Sequence, residues 1–313
     1  MKHLLSILIF FSFMFTAFAE VNFEEKISFD ENIRYGKLDN GLTYYVKGNQ
    51  NPKNKAQIHL IIKAGSLMED DDQLGLAHLI EHMAFNGTKN FPKNEIDEYL
   101  NSIGLSMGAD FNASTGFERT IYTLDIPTNE IDNLEKGIHI LADISNNATL
   151  SGESFEKERK IVEEEWRQSL GKQKRLGDEL KKIFFKHSQF ANRFPIGEIE
   201  IIRNFDYKTA IRYYDDWYRP DLMAVVAVGD FDELMIEQSI KKYFSKIKAK
   251  NLERIQPNTL IPNYGETIYV FQEDLEQENI DFTVFSKNKS IKLETLGDLR
   301  EEVIKSINNG PTY

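Results

Sequence analysis

The sequence predicts a fold that interleaves β-strands with amphipathic helices, and three observations carry that expectation. Residues 56–64 alternate, so that Ala56, Ile58, Leu60, Ile62 and Ala64 share one face of a strand. Two β-prone runs, Ile33 to Leu38 and Leu42 to Val46, flank Asn40-Gly41, a dipeptide that favours a tight hairpin. Later segments repeat apolar residues at helical spacing around a short apolar run at 222–229 that reads as a buried strand.

Taken in order, the hairpin comes first and the alternating strand follows. His59 stands alone on that strand's other face and reads as a structural histidine. "DDQLGLAHLIEHMAF" is helical from about Leu74, and "PKNEIDEYLNSIG" is a second helix that Gly104 stops. Residues 119–126 are β-prone. Helical patterns occupy 129–145, 153–170 and 174–187, then 207–218 and 233–246 on either side of the 222–229 strand. Residues 249–265 carry Pro257, Pro262 and Gly265 without clean periodicity and read as a linker. Two strand-like runs, 267–272 and 279–285, and a helix from about Leu296 complete the chain. A strand–strand–helix unit of about 45 residues encloses little core by itself. The expectation is a first domain over residues 20–248, a linker over 249–265, and the beginning of a second, truncated domain over 266–313.

Bulk properties narrow the function classes. The 313 residues carry a net charge of −12, which argues against a general nucleic-acid binder, because phosphate-binding surfaces need clustered Lys and Arg. There is no cysteine, which excludes disulfides, thiol nucleophiles and cysteine-ligated zinc. The amino terminus has a charged start at Lys2, an apolar run from Leu4 to Phe18 and a small-x-small ending at Ala17-Phe18-Ala19. This is the pattern of a signal peptide over residues 1–19, and the run falls short of the roughly 20 residues that span a bilayer. The expected destination is periplasmic or secreted, with no stable membrane insertion after cleavage.

The stretch "HLIEH" carries the chemistry. His78 and His82 are four residues apart and project from one helix face, so both can reach one ion. Glu81 lies beside them on nearly the same side. A catalytic zinc needs three protein ligands, a water and a base for that water. The third ligand is sought in "EKERKIVEEEWRQ". On a helical wheel the stripe of Phe155, Ile161, Val162 and Trp166 has Glu158 and Glu165 within about 50° of its centre, while Glu156, Glu163 and Glu164 lie on the solvent side. Buried carboxylates are costly unless paired or coordinated, so Glu158 and Glu165 are the candidates for ligand and supporting group.

The segments "GLAHLIEHMAFNGTKNFPKNEIDEYLNSIG", "FNASTGFERTIYTLDIP", "FEKERKIVEEEW", "FPIGEIEIIRNF" and "YYDDWYRPDLMAVVAVGDFD" follow in order. Together they resemble the insulinase/pitrilysin family of zinc peptidases, in which His-x-x-Glu-His is the inverted zinc motif. The likeness is nearest to exported bacterial members. The resemblance implies an α+β fold of the mitochondrial-processing-peptidase type, with a mixed, mainly antiparallel sheet and packed helices, followed by the start of a second similar domain. It implies His78, His82 and Glu165 as Zn2+ ligands, Glu81 as general base and Glu158 as the partner of a liganding histidine. It also implies that Asn112, Ala113, Ser114 and Thr115 lie on an edge strand that binds an extended peptide, with the Asn112 side chain holding substrate near the metal. Family peptidases complete the site with Arg and Tyr from a later, facing domain, and no such segment occurs here. The expectations are therefore a zinc endopeptidase acting on peptides, with a second chain as candidate supplier of the facing domain. The alternative is a non-catalytic peptide-binding or assembly subunit. A lyase of the S-ribosylhomocysteine type, which shares the inverted motif, needs a cysteine that this chain lacks.

Overall fold

The computed structural model describes residues 21–250, 254–263, 265–287 and 292–308. The expected signal peptide, residues 1–19, lies outside them. Among the described residues, no helix is long and apolar enough to cross a membrane. The described chain separates into two compact units. One runs from Asn32 to Phe282, and the other joins residues 21–31 to the segment from Thr283 onward.

The larger unit is built on a six-stranded sheet. Its strands are β1 (Arg34–Lys37), β2 (Thr43–Gly48), β3 (Lys55–Ile62), β4 (Phe111–Thr115), β5 (Thr120–Pro127) and β6 (Met223–Gly229). They lie in the order β1-β2-β6-β3-β5-β4. Every neighbouring pair is antiparallel except β2 with β6. The sheet is therefore mixed and mainly antiparallel, and β4 is an edge strand.

Alternation decides which face is covered. Ala56, Ile58, Leu60 and Ile62 of β3, Tyr122, Leu124 and Ile126 of β5, and Met223, Val225 and Ala227 of β6 all turn to one side and are buried. Helices α1 (Leu76–Met83), α3 (Ile131–Asn147) and α8 (Glu233–Phe244) pack on that side. His59 lies on the opposite face. Its ring nitrogens are 2.9 Å from Thr123 Oγ1 and 2.9 Å from Gln57 Oε1, which is the structural role expected of it.

The remaining helices of this unit are α2 (Glu95–Ser102), α4 (Gly152–Gln168), α5 (Lys172–Phe184), α6 (Ile199–Asn204) and α7 (Tyr207–Trp217). Gly104, at φ 83°, ends the chain's run after α2 as expected. Helix α6 and strand β4 have no counterpart in the periodicity-based expectations. Both are too short for a period to declare itself.

The hairpin differs in detail. Leu38 N–H donates to the Leu42 carbonyl at 2.8 Å, so three residues make the turn rather than the Asn-Gly pair alone. Asn40 is drawn elsewhere: its Nδ2 donates to the carbonyls of Phe244 and Ile247, both at 2.8 Å, and satisfies orphan groups at the end of α8. Gly41 takes φ 98° to close the turn.

The expected strands at 267–272 and 279–285 do not form. Apolar alternation makes a strand only when a neighbour satisfies its N–H and C=O groups, and among the described residues no ladder partner lies beside them. Phe271, Ile280 and Phe282 are instead left at 90% exposure or more. The segment is tied down by a two-pronged ion pair, in which Arg175 donates to both oxygens of Asp274 at 2.7 and 2.8 Å.

In the smaller unit, Ile27 N–H donates to the Glu294 carbonyl and Leu296 N–H to the Glu25 carbonyl, each at 2.9 Å. Helix α9 (Leu296–Asn308) begins where the sequence placed it. A reciprocal cap starts it: Asp298 N–H donates to Thr295 Oγ1, and Thr295 N–H donates back to Asp298 Oδ2.

The Asn40 cap generates a prediction. Asn40→Ala removes two hydrogen bonds to helix-end carbonyls and should lower stability by about 1–2 kcal/mol. A urea melt measures it, and an unchanged midpoint would show that water replaces the amide at no cost.

Candidate metal centre

Helix α1 presents the two histidines, and its start is unusual. No side chain at the N-cap position, Gly75, accepts a hydrogen bond from the first turn. Buried Glu69 does so from six residues upstream: its Oε1 accepts from Gly75 N–H at 3.0 Å and from Ala77 N–H at 2.8 Å. A carboxylate there also faces the positive end of the helix dipole. Burial nevertheless pushes the Glu69 carboxyl up to about 8, against the pull of those two N–H groups and of nearby Arg193. Gly75 and Gly197, at φ 97° and 71°, lie back to back. A Cβ on Gly197 would stand 2.2 Å from the Gly75 Cα, so both positions need glycine for the chains to pass.

Helix α4 packs beside α1 and supplies the carboxylates. Ser151 caps it by accepting from Ser154 N–H at 3.2 Å. Phe155, Val162 and Glu158 form its buried line, while Ile161, placed on the apolar stripe by the wheel, is exposed. Glu165 projects from that same open flank, and its side chain is 42% exposed. The other three glutamates make surface pairs, Glu163 with Arg203, Glu164 with Arg167, and Glu156 with Tyr207 and Arg159, but Glu163, at 38% side-chain exposure, is no more open than Glu165.

The site atoms converge. The Nε2 atoms of His78 and His82 stand 3.1 Å apart, and Glu165 Oε2 lies 3.6 Å from the first and 3.7 Å from the second. These three residues form a group able to hold a metal ion among the described residues. A tetrahedral ion with ligand bonds of about 2.0–2.1 Å has ligand–ligand edges of about 3.3–3.4 Å. The observed triangle brackets that value, so the donor set fits zinc in size and in chemistry. The rings meet edge to face, with centroids 4.6 Å apart.

Glu158 fixes the orientation of His82. Its Oε2 lies 3.2 Å from His82 Nδ1, which leaves Nε2 to point at the metal position. Asn86 Nδ2 donates to the other oxygen of Glu158 at 2.8 Å. Burial works against charge on Glu158, but the His82 and Asn86 hydrogen bonds outweigh it and hold the carboxyl below its usual range. Burial also opposes charge on His82. There the Glu158 hydrogen bond and the carboxylates of Glu165 and Glu81 prevail, and the imidazole titrates above its ordinary value. On His78 burial prevails and takes the imidazole down to about 4, and His82 adds to the shift. His78 Nδ1 is buried without a hydrogen-bond partner.

Glu81 is buried, and burial raises its carboxyl. The Thr115 hydroxyl donates to its Oε2 at 2.7 Å. Thr115 ends β4, whose alternation turns Phe111, Ala113 and Thr115 inward and leaves Asn112 and Ser114 exposed. Asn112 Oδ1 accepts from the Ala113 N–H at 2.9 Å. The structure thus brings together His78, His82, Glu165, Glu158, Glu81 and Thr115, with Asn112 and Ser114 on the opposite face of the edge strand. Sequence reasoning missed Glu69 and Asn86. A run of four acids, Glu69 to Asp72, shortly before a glycine-started helix was the signal available for Glu69.

Comparison with known proteins follows this geometry. A model of the insulinase family (peptidase family M16) matches residues 44–194, and one of the M16 inactive domain matches residues 204–310. The chain is 36% identical over 303 residues to a probable zinc protease PqqL of Haemophilus influenzae, covering 96% of this chain and 32% of that protein. It is 35% identical to a zinc protease PQQL-like protein of Arabidopsis thaliana, covering 87% and 29%. The crystal structure of the first half of the periplasmic protease PqqL from Escherichia coli superposes with a TM-score of 0.70 at 34% identity, covering 74% of this chain and 50% of that one. The chain spans about a third of the length of these curated relatives.

The Glu69 carboxyl generates a pH prediction. The folded chain keeps its proton up to about 8, while the ordinary value is 4.5. Between these values the folded state binds the extra proton, so its contribution to stability falls as pH rises through that window and levels off above it. Glu69→Gln lacks this slope, and its stability relative to wild type should rise from pH 5 to pH 8. Parallel profiles in denaturant melts would mean that Glu69 is ionised in the fold.

Proposed function

The chain belongs to the insulinase family of peptidases, and on that premise we propose that it is a zinc-dependent endopeptidase hydrolysing extended or unstructured peptides. The observation that carries this reading is the triangle of His78 Nε2, His82 Nε2 and Glu165 Oε2 beside buried Glu81.

His78, His82 and Glu165 would hold the ion, which when bound polarises the scissile carbonyl and makes an adjacent water a better nucleophile at neutral pH. His78 is suited to ligation because burial keeps it neutral. Glu158 keeps the His82 Nδ1 side occupied and its Nε2 directed inward. Glu81 takes a proton from the attacking water and passes it to the leaving amine as the C–N bond breaks. Burial, by raising its carboxyl, makes it a stronger base than a free glutamate. Substrate would add as a further strand along β4, whose outer edge has no neighbouring strand among the described residues. Asn112 to Thr115 would then run beside the peptide.

The amino-terminal pattern supports export, with residues 1–19 removed and the mature chain acting in the periplasm or outside the cell. The E. coli relative is described as periplasmic. A second chain, or a further domain, is the proposed source of the facing half of the site, since the relatives are about three times as long.

Glu81→Gln separates binding from chemistry. Zinc content should stay at wild-type stoichiometry while turnover of a quenched peptide library falls about 10²–10⁴-fold. Unchanged turnover would reject Glu81 as the base. No turnover by the fully zinc-loaded wild-type chain would select the non-catalytic subunit instead. Glu158→Ala should weaken zinc binding about 10–100-fold in competition with a chromophoric chelator, and an unaltered affinity would remove Glu158 from the site's support.

A further inference from the structure

We propose that Thr115 is a positioning residue for Glu81, setting which carboxylate oxygen meets the attacking water, rather than a residue whose main role is to bind peptide. The inference deepens the peptidase reading above and rests on it.

Glu81 leaves α1 as a flexible side chain whose terminal torsion is broad and nearly two-fold. Without a restraint, its two oxygens exchange freely. Among the described residues, the hydrogen bond that reaches this carboxylate comes from Thr115 Oγ1, at 2.7 Å to Oε2. The direction of that bond is set from behind. Thr120 Oγ1 lies 3.4 Å from Thr115 Oγ1 and donates its own proton to the Ala64 carbonyl at 2.9 Å. Thr120 is fully buried, so its proton stays committed there. The Thr115 proton is left to point at Glu81.

With Oε2 occupied, Oε1 is the oxygen free to act. The arrangement suits both protonation states of the base. As a carboxylate, Glu81 accepts from Thr115 on Oε2 and from water on Oε1. Once Oε1 has taken the water's proton, Oε2 is the carbonyl oxygen and still accepts from Thr115. The proton then leaves Oε1 for the amine nitrogen, and the carboxylate is restored without breaking the Thr115 bond. The same bond ties α1, which carries the base, to β4, along whose outer edge a peptide would pair.

Thr115→Val keeps the shape of the side chain and removes the hydroxyl. Thr115→Ser keeps the hydroxyl. In the full chain carrying zinc, Thr115→Val should lower kcat about tenfold to a hundredfold with KM within about twofold of wild type and zinc content unchanged, and Thr115→Ser should recover most of kcat. Crystals of zinc-loaded Thr115→Val should show the Glu81 carboxylate turned or split between two orientations. A wild-type kcat in Thr115→Val, or a raised KM at unchanged kcat, overturns the proposal and returns Thr115 to peptide binding. If the wild-type chain turns over no peptide, the peptidase reading fails separately. The crystallographic comparison still decides the positioning role, because one identical Glu81 orientation in both proteins overturns it.

Discussion

The buried junction between α1 and α4, where Glu158 meets His82 Nδ1, is the constraint on which the rest of the centre depends. His82 and Glu158 are 76 residues apart in the sequence, yet three side-chain atoms of the two helices must converge within one coordination radius. Packing of Phe155 and Val162 brings the helices together but leaves their relative rotation soft. A charge-assisted hydrogen bond in a dry setting is directional and costly to break. It therefore fixes the rotation, and with it the distance from Glu165 to the imidazole pair. Asn86 serves the same end by spending its amide on the second oxygen of Glu158.

Burial disfavours charge on both histidines, yet they end in opposite states. His78 is driven toward the neutral form, whereas the carboxylates around His82 overcome the same burial and favour its charged form. With His78 neutral and the carboxylates of Glu81, Glu158 and Glu165 gathered around His82, the site favours positive charge, which a divalent cation would supply. Burial also dominates at Glu69, whose carboxyl is pushed up to about 8 even with two N–H donors and Arg193 nearby.

The sheet divides its labour by face and by edge. Its inner face supplies the apolar floor under α1, α3 and α8, and among the described residues no further strand pairs with its β4 edge. Thr115 belongs to both functions, since its backbone is part of the edge and its hydroxyl reaches Glu81.

The sequence by itself determined most of the elements and the candidates for the site. Period-two and helical apolar spacing located the longer strands and helices to within a few residues, because burial on one face imposes those periods. The spacing of His78, Glu81 and His82 declared a shared helix face for the same reason, and the wheel picked Glu158 and Glu165 from five glutamates. Tertiary structure alone decided the rest. The 267–272 and 279–285 runs lack strands because alternation supplies a face and not a partner. Ile161 is exposed and Glu165 sits at the rim because a wheel gives the direction of a side chain but not how far its neighbour extends. Glu69, Asn86 and the Thr115 hydroxyl were invisible because each acts through a hydrogen bond between segments distant in sequence or through a turn. Such bonds depend on distances in space, which local composition and periodicity do not encode.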